Sequence, residues 1–522
     1  MVDVRRGDLP EVATPFASMV ASDASSPLVV SLVLTGRQPR SGDCLFCENQ
    51  RRKRLSTARN TMSKRKKKTS AGTAKRGVLE PSIHPKSAGI DIGAEELVCA
   101  VPPDLDQQAV KTFPTFTRDL HALRDWLTSL GVTTVAMEST GTYWIATYEI
   151  LEAAGIEVCL VNARHVKGVP GKKTDVCDAQ WLQQLHAAGL LRASFRPSRE
   201  VVAVRQLVRH RSDLVRESSR HIHHMQKTLI EMNIKLHHVF SDLDGMSAMA
   251  IVEAILAGER DPESLWLLRD RRCRCSREEF EKALEADWQS AQLFILGQSH
   301  RAWQQTHEAI AACDEAIEDH LEQVSSESDD DLPPEEQNRR KQRGKNDVGF
   351  DIRSEAYRQY GVDLSRVDGI SNGTLLVLLS EIGNAEELRK NFRSAKAFSS
   401  WLGLCPDNRI SGGKVLKTKT RPVVNRVSNA LRLAAFGVGR SDSALGDYCR
   451  RMKAKLGKAE GITATAHKLS RVIYGMIHSK QPYDEAIAFQ THPSTRTRRL
   501  KKLRKIAHSL GMQLTAIQPE SI

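Results

Sequence analysis

The stretch that decides the fold is Ser87–Gly93, which reads SAGIDIG and sets Asp91 between Ile90 and Ile92. A short apolar run of this kind predicts a buried strand. A carboxylate in such a strand loses its hydration unless it meets a cation or hydrogen-bond donors. Asp91 is therefore the first candidate for a functional residue.

The sequence on the C-terminal side of this strand alternates between strand and helix patterns. The predicted strands are Ser87–Gly93, Glu96–Val101, Ala109–Phe116, Val132–Met137 and Ile156–Val161, and the predicted helices are Arg118–Leu130, Thr142–Ala154 and Thr174–Ala188. This β-β-β-α-β-α-β-α order predicts an α/β domain in which helices pack on a mixed sheet. The order matches the RNase H-like fold.

Three further acids occur where such a fold would bring them near Asp91. Glu138 ends the fourth strand, and Asp175 and Asp178 share one face of the third helix because they are three residues apart. In an RNase H-like sheet the first and fourth strands are neighbours. We therefore expect four carboxylates to converge and to require Mg²⁺ or Mn²⁺, since hard divalent cations prefer oxygen ligands.

Composition favours a polyanionic partner. The 522-residue chain carries a formal net charge of +14, and such a field attracts nucleic acid. The ten cysteines occur mostly singly in apolar runs, which indicates reduced thiols and a cytoplasmic protein. Cys44 and Cys47 form a CxxC pair without a second half. No run of about 18 apolar residues predicts a membrane helix.

Changes in pattern along the chain predict its organisation. The expected regions are a basic, disordered extension (1–85), the catalytic domain (86–195), a helical or coiled-coil region (196–324), a disordered linker (325–347), a mainly helical C-terminal domain (360–487) and a basic tail (488–522). Within the helical region, Ser198–His238 and Glu278–Val324 could pair as an antiparallel hairpin or a dimerising coiled coil. Met62 is an alternative translation start.

The motifs resemble a known family. GIDIG at Asp91, AMESTGTYW at Glu138, Asn162-Ala163-Arg164, and KKTDVCDA at Asp175 and Asp178 are similar to the DEDD-type transposases of insertion-sequence family 110 and to the related pilin-gene invertases. The resemblance covers about residues 86–190 and 360–450. It implies a DNA transposase, a bacterial nucleoid-associated location, assembly as a dimer or tetramer, and guidance by a structured RNA.

The C-terminal block contains a Ser-Gly-Gly-Lys loop, Ser411 to Lys414. The resemblance implies that Ser411 attacks a DNA phosphate and forms a covalent 5′-linked intermediate, although Ile410 stands where some relatives carry serine. Glycines Gly412 and Gly413 let backbone N–H groups approach phosphate oxygens, and Lys414 can stabilise developing charge. On spacing alone, an ordinary turn is the favoured interpretation of the segment.

Two further features are candidate DNA contacts. Val367–Thr374 has the Gly-hydrophobic-x-x-Gly pattern of a helix-hairpin-helix, in which Gly369, Gly373 and Thr374 would present backbone N–H groups to phosphates. An αα-turn that simply packs explains the same pattern. The basic stretches Arg205–Arg220 and Arg496–Lys505 are either backbone contacts or solvated faces.

The sequence therefore favours a recombinase that joins donor and target DNA duplexes through Ser411 and a four-acid Mg²⁺ site. Two alternatives remain open. A metal-dependent Holliday-junction endonuclease would use the acids with water and would not need Ser411. A domesticated, non-catalytic protein would bind DNA without strand transfer.

Overall fold

The computed structural model describes residues 83–139, 141–162, 175–328, 332–333, 344–489 and 493–513. The chain divides into two units, Met1–Val78 and Leu79–Ile522. The first unit lies outside the described residues, as do Cys44, Cys47, Met62 and most of the two segments predicted to be disordered.

A five-stranded mixed sheet organises the first part of the described chain. Its strands are β1 (Ser87–Ile92), β2 (Glu96–Ala100), β3 (Val110–Pro114), β4 (Thr134–Glu138) and β5 (Glu157–Val161). They lie in the order β3-β2-β1-β4-β5. The first three strands pair antiparallel, whereas β4 is parallel to both β1 and β5. The predicted strands and their mixed arrangement are confirmed, with ends shifted by a few residues.

Helices cover both faces of this sheet. They are α1 (Thr117–Ser129), α2 (Trp144–Ala153) and α3 (Asp175–Ala187). On one face Ile90 and Met137 are fully buried in the same apolar core as Leu123 of α1 and Leu151 of α2. On the other face Ala179 of α3 packs in a smaller core. The sheet is thus buried on both sides, as parallel strands require.

Two long helices follow, α4 (Arg199–Glu231) and α9 (Ser290–Glu322), with short helices between them. The short helices are α5 (Leu236–Val239), α6 (Met246–Leu256), α7 (Pro262–Leu267) and α8 (Arg277–Leu284). The beginning of α4 shares a core with the end of α9, and the end of α4 shares another core with Leu296 near the start of α9. The two helices are therefore antiparallel within one chain, which is the antiparallel hairpin of the two predicted arrangements.

The predicted helices of this pair were too long. Residues Ser198–His238 do not form one helix, because Asn233 adopts a left-handed conformation (φ 63°) that ends α4. Glu278–Val324 is likewise two helices, α8 and α9. The break is fixed by the backbone N–H of Asp287, which donates to the carbonyl of Met232 instead of to a helical partner (3.0 Å).

The C-terminal part is mainly helical. It contains α10 (Ile352–Tyr360), α11 (Asn372–Ile382), α12 (Ala385–Asn391), α13 (Ala395–Trp401), β6 (Arg409–Ser411), β7 (Lys414–Lys417), α14 (Arg426–Val438), α15 (Ala444–Leu456), α16 (Lys458–Ser479), α17 (Glu485–Ala488) and α18 (Pro493–Ser509). One core joins these helices to the beginning of α4 and the end of α9. One end of the α4–α9 helix pair is therefore part of the C-terminal core.

Among the helices in the described ranges, none combines the length and the apolar character that a membrane span requires.

Candidate active site

Asp91 and Glu138 lie side by side near the C-terminal ends of the neighbouring strands β1 and β4. β1 and β4 are parallel, and the last paired positions are Ile90 and Met137, immediately before the two acids. Neighbouring strands are about 4.8 Å apart, so the register makes Asp91 and Glu138 lateral neighbours on one face. Both residues are half-buried. The sequence prediction that the first and fourth strands carry adjacent carboxylates agrees with this register.

The face that carries these acids is the face covered by α3. Asp91 shares its side of β1 with Gly89, because strand residues two apart point the same way. A Cβ atom at Gly89 would lie 2.3 Å from the backbone N of Gln183 and 2.5 Å from the carbonyl oxygen of Ala179. Only glycine permits this approach of helix to strand. Gly89 therefore lets α3 lie directly on the acid-bearing face.

Polar contacts set the direction in which α3 crosses the sheet. The Nε2 atom of His186, near the end of α3, lies 2.9 Å from the Oγ1 atom of Thr134 at the start of β4. The side-chain amide of Gln183 donates to the hydroxyl of Ser87 (3.5 Å). Because the end of the helix lies over the beginning of the strands, α3 runs opposite to β1 and β4. Its first turn is therefore directed towards Asp91 and Glu138.

The helical spacing matches the strand spacing along this contact. A step from Ala179 back to Asp175 covers four residues, or about 6 Å, and a step from Gly89 to Asp91 covers about 6.6 Å. Asp175 is the first residue of α3, and its side chain lies outside the description. Asp178, beside Ala179 in the first turn, is half-buried. The backbone arrangement thus directs the helix that bears both aspartates towards the two strand acids.

No cluster of three or more histidine, cysteine, aspartate or glutamate side chains close enough to hold a metal ion occurs among the described side chains. That set contains Asp91, Glu138 and Asp178 but not the side chain of Asp175. The oxygen-only chemistry of the donors suits a hard cation such as Mg²⁺. The convergence of all four carboxylates accordingly stays a prediction.

His186 was not identified from the sequence. Burial, with His84 stacked beside it (ring centroids 5.1 Å apart), lowers the pKa of His186 to about 4. The imidazole is therefore neutral near pH 7 and can hydrogen-bond Thr134 without charge. Its role is to fix the end of α3 to β4, and a single histidine in an apolar helix offered no signal for that role.

The serine loop of the sequence is a β-hairpin. Ser411 ends β6 and pairs with Lys414, the first residue of β7. Gly412 and Gly413 between them have φ angles of 54° and 74°. Two consecutive left-handed residues form the tight turn that suits a two-residue hairpin, which explains the glycines. Ser411 and both glycines are exposed at the tip of this hairpin.

The segment Val367–Thr374 packs closely on the neighbouring helix. Gly369 has a φ angle of 87°, and a Cβ atom there would lie 2.9 Å from the carbonyl oxygen of Ala434 in α14. The hydroxyl of Ser371 accepts from the backbone N–H of Thr374 (3.3 Å) and caps α11. Thr374 is buried, whereas Gly373 is exposed. Packing accounts for Gly369, so of the predicted DNA contacts in this segment Gly373 is the accessible one.

Comparison with known proteins gives matches to two family profiles. Residues 88–234 match the profile of DEDD transposases of IS110, described as a transposase. Residues 363–449 match the profile described as transposase IS116/IS110/IS902 family. A search of curated proteins finds no match. The first profile contains the sheet with its acids and α3, and the second contains the hairpin with Ser411.

The two profiles occur in the order in which the sheet and the hairpin follow each other along the chain. The resemblance deduced from the motifs around Asp91, Glu138 and Ser411 is thereby confirmed. The two matched regions indicate a transposase of the IS110 type, that is, a DNA transposase or recombinase.

Proposed function

We propose that this transposase cuts and rejoins DNA by using a four-carboxylate metal site on an RNase H-like domain together with Ser411 as nucleophile. The observation that carries the proposal is the register of β1 and β4, which makes Asp91 and Glu138 neighbours beneath the helix that begins at Asp175. The strand order and directions support the RNase H-like assignment.

The carboxylates of Asp91, Glu138, Asp175 and Asp178 would hold the divalent ion, for which Mg²⁺ or Mn²⁺ is suited. When bound, such an ion neutralises charge on the phosphate oxygens during phosphoryl transfer. The proposal requires these acids to come together, and like charges brought together in that way would need a compensating cation. The half-buried position of Asp91, Glu138 and Asp178 supports this role.

Ser411 would act on the DNA phosphate. Its Oγ atom attacks phosphorus and loses its proton, a bond forms between Oγ and the 5′ phosphate, and the bond to the 3′ oxygen breaks. The departing 3′ oxygen takes up a proton. Attack of another strand's 3′ hydroxyl on the phosphoserine then restores Ser411. Exposure of Ser411 at a hairpin tip supports access to a duplex, and Lys414 across the turn supplies positive charge.

DNA is the substrate, and we further propose a structured guide RNA and a dimeric or tetrameric assembly. The net charge of +14 supports contact with polyanionic nucleic acid. We propose three structured regions for this work: a catalytic domain (86–195), a helical region (196–324) and a C-terminal domain (360–487). The extension (1–85), linker (325–347) and tail (488–522) complete the proposed organisation.

The test is strand exchange with the element's own flanking DNA in the presence of Mg²⁺, with trapping of covalent protein–DNA adducts. The proposal expects an adduct that maps to Ser411 by mass spectrometry. Ser411→Ala should abolish both adduct and exchange while binding DNA normally. Strand cleavage that persists in Ser411→Ala would instead identify a Holliday-junction-type endonuclease that uses water.

A further inference from the structure

Glu381 is the centre of an arginine cluster built from three helices. Arg209 of α4 donates from Nε and a terminal nitrogen to the two carboxylate oxygens of Glu381, each at 2.9 Å. The Nε atom of Arg205 lies 3.3 Å from the same carboxylate. Arg426, the first residue of α14, brings its Nε to 3.9 Å. We call Arg205, Arg209, Arg426 and Glu381 the arginine cluster.

The members of this cluster differ in how their charges are used. The side chain of Arg205 is held by the protein itself, because it also donates hydrogen bonds to the backbone carbonyls of Ser380 (3.3 Å) and Glu381 (2.9 Å). Arg209 saturates the carboxylate with a bidentate pair. The distance from Arg426 to the carboxylate exceeds a hydrogen bond. One carboxylate thus faces three guanidiniums, and two positive charges remain in excess.

The excess charge sits where an incoming ligand can reach it. The side chain of Arg209 is 47% exposed and that of Arg426 is 40% exposed, whereas Arg205 and Glu381 are 17% and 10% exposed. Burial lowers the pKa of Arg426, and the nearby Arg209 and Arg216 lower it further, while Glu381 raises it. Cations held together at such a partly dehydrated surface favour a bound anion.

We propose that the arginine cluster binds the phosphodiester backbone of a nucleic acid through Arg209 and Arg426. The more deeply buried side chains of Glu381 and Arg205 position these two arginines. Planar guanidiniums suit phosphate because they can donate two parallel hydrogen bonds. The inference rests on the proposed function insofar as the nucleic acid is the DNA or RNA of the recombination complex. It extends that function by assigning the residues that bind one nucleic-acid strand.

The location supports a strand of the reacting complex as the ligand. Arg426 begins α14 directly after the segment that follows β7 of the Ser411 hairpin. Two contacts hold that segment against the preceding part of the C-terminal region. The Arg421 side chain donates to the carbonyl of Ser400 (2.6 Å), and Thr420 forms an antiparallel β-bridge with Pro406. A phosphate held at the arginine cluster is therefore bound by the same structural block that carries the hairpin.

The test measures the salt dependence of binding, without divalent ions, for a labelled DNA duplex, a labelled single-stranded DNA and a labelled RNA hairpin. The variant is Arg209→Ala with Arg426→Ala. Each lost phosphate contact on duplex DNA lowers the slope of log K against log salt by about 0.9. We expect the double variant to lower that slope by about 2 for the probe that the cluster binds, which assigns the cluster to DNA or to RNA.

The matched control removes two exposed arginines that also pair with carboxylates, Arg272→Ala with Arg277→Ala. This control should leave the slope nearly unchanged. A second variant, Arg209→Lys with Arg426→Lys, keeps the charges and should keep most of the slope. The inference is overturned if the alanine pair changes no slope, changes it no more than the control, or if the lysine pair loses as much.

The same proteins separate this inference from the proposed function. Ser411→Ala should retain the full salt slope, because binding needs no nucleophile. An unchanged slope in the alanine pair together with a Ser411 adduct in the parent protein removes the cluster and keeps the function. A reduced slope without any adduct keeps the cluster and removes the serine mechanism.

Discussion

At the scale of single residues, Gly89 determines how near the acids of the sheet and helix can come. Gly89→Ala would drive a methyl group against the backbone of Gln183 and Ala179, which cannot yield as a side-chain tip can. We expect a loss of about 3 kcal/mol or more, of the size seen for overpacked cores. The measurement is the urea midpoint of the far-UV circular dichroism signal.

The control for this variant is Gly437→Ala in α14. A Cβ atom at Gly437 meets no heavy atom within 4 Å. Alanine is favoured over glycine inside a helix, so stability should stay constant or rise by up to about 1 kcal/mol. Equal midpoints for the two variants would show that α3 does not rest against β1 as described.

Asp91 and Glu138 were identified from the sequence because their carboxylates follow or interrupt apolar strand patterns, whereas Ser411 was identified only through the family resemblance. Gly89 was not identified, since a glycine in a strand has several explanations and only the approach of α3 selects one. Glu381 was missed for a similar reason. It is the next-to-last residue of a leucine-rich helix, and its partners are distant in sequence.

At the scale of elements, a buried ion pair joins the long helices. Arg211 of α4 pairs with both carboxylate oxygens of Asp314 in α9, and the two side chains are 7% and 10% exposed. Arg211 also donates to the carbonyls of Asn346 (3.1 Å) and Asp347 (3.2 Å). The pair therefore holds the last residues of the proposed linker against the long helices.

Arg211→Met should leave the charge of Asp314 buried without its partner. The expected cost is about 3–5 kcal/mol, as for other buried pairs broken on one side. Gly349 donates its backbone N–H to Asp314 (3.0 Å). Hydrogen exchange by mass spectrometry should thus accelerate in peptides spanning residues 344–352.

Arg216→Met is the matched control, because Arg216 pairs with Asp213 on the exposed surface of the same helix. Exposed pairs contribute about 0–1 kcal/mol. Exchange in residues 344–352 should match the parent protein in this control. Faster exchange in both variants would assign the effect to general loosening of α4.

The order of elements was predictable, but several of their ends were not. Alternation of apolar residues gives the period of a strand or helix, whereas an end depends on local conformation. Asn233 ends α4 through a left-handed φ angle, and tertiary hydrogen bonding of Asp287 separates α8 from α9. The turn at Gly412 and Gly413 was predicted, but its pairing into β6 and β7 needs the strand contacts.

At the scale of the whole molecule, one core runs from the C-terminal helices into the ends of α4 and α9. The linking residues Phe195 and Arg196 connect this block to the sheet. Phe195 packs on Phe392, while the guanidinium of Arg196 lies 3.8 Å from the ring centre of Tyr148 in α2. Such long-range packing has no local signature, which is why the sequence predicted separate regions and not this join.

The most direct measurement of the central claim is calorimetric titration of the full chain with Mn²⁺, for the parent protein and for Asp91→Asn and Glu138→Gln. Glu157→Gln is the control, because Glu157 is exposed at the N-terminal end of β5, whereas Asp91 and Glu138 lie near the C-terminal ends of β1 and β4. The account predicts saturable Mn²⁺ uptake in the parent and the control, and its loss in both variants. Undiminished uptake in Asp91→Asn and Glu138→Gln would contradict a metal site built on these strands.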